Sequence, residues 1–194
     1  TKKLIRQIFI FACVKMKITE TKCISILTRT SGYLKGVCSH SLNPYIGCGY
    51  GNSSCGEGCY VQFNQWLNRG RDWGHFVDVK LNADTVYLNT VNAERRWAVQ
   101  RGMPFSIFFS SSTDPWQPIE RKFRVTRRVL DAMFVETPDM LILQTHSSMI
   151  AEDMERIVSL SRECDLRVNL SIEGDQDSLP GLSPPPCSVD ERIR

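Results

Sequence analysis

The chain has 194 residues, of which 42% are hydrophobic and 23% are charged, and its formal net charge is +3. This is the composition of an ordinary globular protein, which excludes a low-complexity or disordered chain and allows a substantial core. The longest apolar island, residues 8–14, is far shorter than the ~20 residues that span a bilayer, so we expect no membrane contact.

Positive charge is concentrated at the amino-terminal end. Residues 1–37 contain eight lysines and arginines but a single acidic residue, Glu20. We interpret residues 1–36 as a basic arm, which is either a solvated, flexible terminus or a contact for nucleic acid. Met16 followed by Lys17 has the form of a translation start, so we expect residues 1–15 to be either upstream read-through or the edge of a fragment, and the arm to be partly non-native.

Three cysteines crowd into twelve residues, at Cys48, Cys55 and Cys59. The glycines between them let the backbone adopt positive φ angles and wrap around a bulky group. Three thiolates can hold a metal centre with one coordination position open, whereas a fourth ligand, here Cys38 or His40, would close a structural zinc site. Without a convincing signal peptide, this crowding predicts metal binding in a reducing cytoplasm.

Downstream of the cysteine loop, apolar patterns with helical spacing alternate with short apolar runs. The predicted elements are a helix from Asn82 or Asp84 to Gly102, a strand at 105–109, a helix from Pro118, a strand at 140–144, a helix at 149–162, a strand at 166–172 and a capping box at 188–191. Such alternation through short connections predicts an α/β fold with a parallel sheet.

Polar side chains follow the predicted strands, at the edge where parallel α/β folds bind ligands. These residues are Ser110, Ser112 and Asp114 after one strand, His146 and Ser147 after the next, and Ser171 and Glu173 after the last. Each also has a structural interpretation, as a loop, a helix cap, a satisfied histidine or an exposed turn acid.

An aromatic and basic segment follows the cysteine loop. Trp66, Trp73 and Phe76 alternate there with Arg69 and Arg71. Such a segment could stack nucleic-acid bases, but we favour packing of the cysteine loop against the sheet.

The chain resembles the radical S-adenosylmethionine (SAM) superfamily, and within it the subgroup similar to spore photoproduct lyase. The resemblance covers about residues 37–194 and rests on landmarks that come in the family's order. They are SLNPYIGC at 41–48, Cys59-Tyr60, TDPWQPIE at 113–120, QTHS at 144–147 and SIE at 171–173. The cysteine spacing departs from the family's usual three and then two residues, being six and then three. The family often has a lysine where His146 stands.

The resemblance implies the N-terminal part of a parallel (β/α) barrel over residues 37–194, truncated at the C-terminus. It implies a [4Fe–4S] cluster on Cys48, Cys55 and Cys59, with SAM on the unique iron. The SAM-contacting residues that it implies are Tyr60, Ser110, Ser112, Asp114, Ser147, Ser171 and Glu173.

The activity implied is reductive cleavage of SAM to start radical chemistry on an unidentified substrate. A lyase-like reaction on nucleic acid is one form of it, and the electron donor would be an external flavodoxin- or ferredoxin-like protein. Two other functions remain open, a zinc-stapled nucleic-acid-binding module and an electron-transfer iron–sulfur protein without SAM.

Overall fold

The computed structural model of the protein describes residues 16–178 and 180–194, and its strands form two sheets. The smaller sheet has the order β1 (Lys17–Thr21), β5 (Phe76–Lys80), β4 (Tyr45–Gly47), and β1 runs parallel to β5. The larger sheet has the order β2 (Leu27–Arg29), β3 (His40–Leu42), β6 (Ser106–Phe109), β7 (Met140–Thr145), β8 (Asp165–Leu170).

Seven α-helices occur in the described residues. They are α1 (Ser54–Glu57), α2 (Gln65–Asn68), α3 (Ala83–Val99), α4 (Glu120–Phe123), α5 (Val125–Val135), α6 (Met154–Leu160) and α7 (Val189–Ile193). Short 3-10 helices lie at Gly32–Gly36, Tyr60–Phe63 and Ser148–Asp153.

The predicted α/β fold with a parallel sheet is confirmed. β3, β6, β7 and β8 are all parallel, and the antiparallel β2 covers the edge of β3. Helices connect β6 to β7 and β7 to β8, as parallel strands require. Among the described strands the sheet does not close into a barrel.

The core lies between the larger sheet and the helices. Phe105, the residue before β6, and Ile107 and Phe109 within it are fully buried, because the period of two directs them to one face. Leu141 and Leu143 of β7 continue that face. α3 packs against α5, and α5 against α6, so that each helix buries one apolar stripe.

Within the basic segment, residues 17–21 and 27–29 form strands of the two sheets, which differs from the flexible terminus that we expected there. β1 pairs with β5 over its whole length, and β2 pairs with β3. The charged side chains of these short strands are exposed, so the segment looks like a polar terminus in the sequence and its strands were not predicted. Residues 1–15 lie outside the described part of the chain.

The helix predicted from Pro118 is interrupted at Arg124, whose φ of 54° is left-handed. The reason is the buried carboxylate of Glu120, which accepts hydrogen bonds from the backbone N–H groups of Thr126 (3.0 Å) and Arg127 (3.1 Å). Glu120 thereby caps the start of α5 and separates it from α4.

No helix in the described ranges combines the length and the apolarity needed to cross a membrane.

His40 is fully buried between the sheet and α3. Its Nδ1 lies 2.9 Å from Ser39 Oγ and its Nε2 lies 3.0 Å from a carboxylate oxygen of Glu94. The ring also packs edge-on against Trp97 and Phe105. Burial lowers the pKa of His40, because it disfavours the charged imidazolium, and the Glu94 carboxylate offsets only part of this effect.

Stability should therefore fall as the pH drops through the unfolded-state histidine pKa of about 6.5 towards the lower folded-state pKa. In that window the unfolded chain binds a proton that folded His40 resists. We expect the loss of unfolding free energy between about pH 7.5 and about pH 5.5 to be smaller in His40→Gln than in the wild type, as measured by urea unfolding. Equal losses in both proteins would contradict the assignment, since the other titrating groups are common to them.

Candidate metal and cofactor site

The three clustered cysteines line one pocket. Cys48 follows β4, Cys55 lies in α1, and Cys59 precedes the 3-10 helix Tyr60–Phe63. The pocket encloses about 90 Å³, less than the roughly 300–1,000 Å³ of typical ligand sites.

Close backbone packing holds this loop in place. A Cβ atom added at Gly51 would lie 1.8 Å from the Cα of Gly74, and one added at Gly74 would lie 2.4 Å from the Cα of Gly51. Gly74 also has a φ of +83°, which side chains rarely adopt. The two glycines thus let the cysteine loop contact the segment before β5 directly.

Burial raises the pKa of all three thiols. The pKa of Cys48 rises to about 12, first through burial and then through the nearby Asp114 carboxylate. Burial is also the main cause of the raised pKa values of Cys55 and Cys59. The metal-free thiols are therefore neutral, and a metal centre must displace their protons on binding.

The loop after β6 forms the opposite wall of the pocket, with Ser110, Ser112 and Asp114 among its lining residues. Asn43 fixes this loop, because its Oδ1 accepts from the Ser112 backbone N–H at 2.9 Å. Tyr60 lies at the pocket and donates its hydroxyl hydrogen to the backbone carbonyl of Ser111. Four of the seven residues that we expected to contact SAM therefore line the pocket.

Asp114 is buried at the base of the pocket. Its carboxylate accepts hydrogen bonds from Thr145 Oγ1 (2.7 Å) and from the backbone N–H groups of His146 (2.8 Å) and Trp116 (2.9 Å). Burial raises the pKa of Asp114, and these hydrogen bonds only partly offset that effect. Its contacts connect the loop after β6 to the end of β7.

Two buried polar atoms at the pocket have no hydrogen-bond partner among the described residues. They are Ser110 Oγ and Trp73 Nε1. Buried polar groups are nearly always paired, so each unpaired atom needs an explanation. Together with the three thiols that line the same pocket, they offer partners to a polar ligand or a sulfide-bearing centre. The residues present thus fit an iron–sulfur group.

Ser147 and Ser171 do not line the pocket. The Ser147 hydroxyl accepts from the backbone N–H of Met149 and bonds to the Tyr50 hydroxyl at 2.9 Å, so it caps the 3-10 helix Ser148–Asp153. Ser171 makes its contacts through its backbone, to Thr145 and Arg192. In this conformation both serines make structural hydrogen bonds and neither side chain faces the pocket.

Glu173 belongs to a second group at the pocket mouth. One ligand atom each from Cys55, His146 and Glu173 lie within 4.8 Å of one another. The imidazole Nδ1–H of His146 donates to Glu173 Oε1 at 2.7 Å, and Arg192 Nη1 donates to Glu173 Oε2 at 2.5 Å. Burial alone would raise the pKa of Glu173, but these two hydrogen bonds hold it below the usual value.

Sequence reasoning gave His146 too little weight. It lines the pocket together with Gln144 and Trp73. Its position at the end of a predicted strand was the available signal, but a histidine alone does not reveal a partner such as Glu173, 27 residues further along the chain. Cys38 and His40, which we considered as fourth zinc ligands, do not line this pocket.

The aromatic and basic segment of residues 66–76 packs against the sheet only in part. Trp73 contacts Phe76 edge-on, and the Arg71 guanidinium lies 3.7 Å from the Phe76 ring centroid while it pairs with Asp78 at 2.7 Å. Trp66, however, is 90% exposed, so the prediction that it packs the loop is wrong.

The C-terminal segment contacts the cysteine loop. The backbone N–H of Ser54 donates to the carbonyl of Pro184 at 3.1 Å, and the Ser183 backbone N–H donates to Glu57 at 3.3 Å. The Ser183 hydroxyl also donates to the Glu57 carboxylate. Residues 183–184 therefore brace α1, and with it Cys55.

Comparison with known proteins gives one distant similarity. No family model and no solved structure matches the chain. A protein of Methanocaldococcus jannaschii described as uncharacterized is 30% identical over 139 residues, which cover 71% of this chain and 46% of that protein. The chain thus spans about half the length of the curated relative that it matches.

The close contact between Gly51 and Gly74 gives a test of the loop conformation. We expect Gly51→Ala to lower the free energy of unfolding by about 1–3 kcal/mol or more, because the added methyl group overlaps backbone atoms that cannot rotate away. Gly36→Ala is the matched control, since a Cβ there meets nothing within 4 Å and should change stability by less than about 0.5 kcal/mol. Equal stability of the two variants in urea unfolding would contradict this packing.

Proposed function

We propose that residues 37–194 form the N-terminal part of a radical SAM barrel and bind a [4Fe–4S] cluster through Cys48, Cys55 and Cys59. The observation that carries the proposal is the convergence of these three thiols on one pocket with two unpaired buried polar atoms, Ser110 Oγ and Trp73 Nε1. The pocket lies beyond the carboxyl ends of β6 and β7, the end of a parallel α/β barrel at which active sites form.

The arrangement of the thiols favours a cluster over a single ion bound by all three. Among the described residues, the ligand atoms of Cys55, His146 and Glu173 lie close enough together to bind one metal ion, but the three cysteine sulfurs do not. A cluster spreads its thiolate ligands over several irons, so its cysteines need not converge on one point. With three protein thiolates, one iron of such a cluster remains open to SAM.

When bound, the cluster would supply the electron that cleaves the sulfonium of SAM and starts radical chemistry. The protein's part is to orient SAM and exclude water. In this proposal the SAM contacts come from Tyr60, Ser110, Ser112 and Asp114, which line the pocket, and from Glu173 at its mouth. Ser147 and Ser171 would support these groups from behind.

The reaction would need an external electron donor, and a flavodoxin- or ferredoxin-like protein is the class that we propose. Nucleic acid remains the substrate class suggested by the resemblance to spore photoproduct lyase, with a lyase-like reaction. A reducing cytoplasm suits these reagents and the seven cysteines of the described ranges, all of which are free thiols.

A specific observation also favours a second candidate, a single zinc ion held by Cys55, His146 and Glu173. Their ligand atoms lie within 4.8 Å of one another, and sulfur, imidazole and carboxylate are the donors that zinc accepts. Three protein ligands would leave a fourth position open, as in catalytic zinc sites. Cys55 is common to both candidates, whereas Cys48 belongs to the cluster alone and His146 to the zinc site alone.

These unshared ligands decide between the candidates. After anaerobic reconstitution of the 194-residue chain, we expect about four irons and four sulfides per chain. Cys48→Ala should abolish this loading, and His146→Asn should retain it. Cys164→Ala is the control, because that thiol bonds to the Leu160 carbonyl away from the pocket. Stoichiometric zinc without sulfide, lost in His146→Asn but kept in Cys48→Ala, would establish the zinc site instead.

SAM cleavage separates the radical enzyme from an electron-transfer protein. Strong reductant should convert SAM to 5′-deoxyadenosine and methionine on the loaded protein. Cys55→Ala should abolish the conversion because a cluster ligand is lost. Ser112→Ala should weaken SAM binding by about 1–3 kcal/mol, as expected for one buried hydrogen bond among several. A fully loaded cluster that shows no spectral response to SAM would favour electron transfer.

A further inference from the structure

A second groove lies at the other end of the strands. It is open, has a volume of about 680 Å³, and is lined by residues that include Arg29, Lys35, Trp97 and Arg101. Arg29 pairs in register with His40, the first residue of β3, and Arg101 precedes β6 in the chain. The groove therefore lies at the amino ends of β3 and β6, whereas the thiol pocket follows the carboxyl end of β6.

One indole ring organises the positive charge of this groove. The guanidinium carbon of Arg29 lies 4.5 Å from the Trp97 ring centroid, and that of Arg101 lies 4.4 Å from it. Attraction to the ring's negative face holds each guanidinium close to the indole and restricts its rotamers. Two planar cations are thus held against one half-buried aromatic side chain.

The two guanidiniums differ in how they are engaged. Arg29 makes a bidentate pair with Glu94 at 2.7 and 3.2 Å, and Glu94 in turn contacts buried His40, so Arg29 is part of the fold. Arg101 donates a single hydrogen bond, from Nη1 to the backbone carbonyl of Trp97 at 3.2 Å. Neither Arg101 nor Lys35 forms an ion pair with any residue of the described ranges.

We infer that this groove binds the phosphate and base of a nucleotide. Arg101 has Nε and Nη2 free to form the paired, charge-assisted bonds that guanidinium makes to phosphate oxygens, and Lys35 adds a point charge. The planar guanidiniums offer faces on which bases stack in protein–RNA complexes. The rim at Gly32 is open, since nothing lies within 4 Å of a Cβ built there. A free nucleotide and one unit of a nucleic-acid strand share this chemistry.

The site is independent of the cysteine pocket and of the proposed SAM chemistry. It uses a part of the basic segment, Arg29 and Lys35, that the thiol pocket leaves unused. Loss of iron from the protein would therefore leave nucleotide binding intact, and the two proposals can fail separately.

The test is a titration of the 194-residue chain, followed by tryptophan fluorescence, with AMP, adenosine, inorganic phosphate and a single-stranded oligonucleotide. AMP should quench the emission, whereas adenosine or phosphate alone should bind more weakly, because each lacks one of the two recognised groups. Trp97→Phe should remove the signal change. Arg101→Ala and Lys35→Ala should each weaken binding about tenfold.

Arg96→Ala is the matched control. Arg96 lies in the last turn of α3, the helix that carries Trp97, and its side chain is exposed. It does not line the groove. A strand is the ligand if the oligonucleotide binds at least about tenfold more tightly than AMP and its affinity falls steeply with salt. A free nucleotide is the ligand if the two bind with equal affinity. No binding of either, or equal loss in Arg96→Ala and Arg101→Ala, overturns the inference.

Discussion

The buried carboxylate of Asp114 fixes the geometry on which the pocket depends. It accepts three hydrogen bonds, two of which come from residues at the end of β7. A carboxylate without water gains most from such donors, because each one replaces hydration that burial has removed. Asp114 thus aligns the loop after β6 with the end of β7, and its contact with the His146 backbone sets where that imidazole lies.

From His146 the same network reaches the C-terminal segment. Glu173 bridges the imidazole of His146 and the guanidinium of Arg192, and Arg192 is only 4% exposed. Arg192 also donates to the backbone carbonyl of Ser171, so α7 is tied to the end of β8. The capping box at Ser188 and Glu191 starts α7 in the orientation that presents Arg192 to this network. A pocket residue is thereby positioned by a helix nearly fifty residues away in the chain.

Periodicity and capping signals predicted α3, β6, β7 and α7, because each buries an apolar stripe or begins at a recognisable cap, and β8 was predicted from its apolar run. They did not predict the smaller sheet, since β1 and β4 are short and two of the three exposed side chains of β1, Lys17 and Glu20, are charged. The interruption at Arg124 also escaped prediction, because it depends on Glu120 reaching forward to Thr126 and Arg127.

At the site, the sequence revealed only those groups whose residues are close together in the chain or follow a predicted strand. The cysteine trio and the residues after β6 were visible as a motif and as strand ends, and the structure brings them to one pocket. The group of Cys55, His146 and Glu173 was not visible, because it joins the ends of two strands to a loop. The groove around Trp97 was hidden for the same reason, since α3 alone gives no sign that Arg29 lies against it.

The two walls of the thiol pocket should respond differently to a bulky ligand. Cys48 is buried, and the carbonyl of Gly47 beside it accepts from Thr113 Oγ1 at 2.6 Å, so moving it would break contacts that water cannot replace. Cys55 lies in the short α1, whose braces to residues 183–184 include exposed bonds such as that from Ser183 to Glu57. Exposed hydrogen bonds are readily exchanged for bonds to water, so their loss costs little. A bulky ligand should therefore displace α1 more readily than it displaces Cys48.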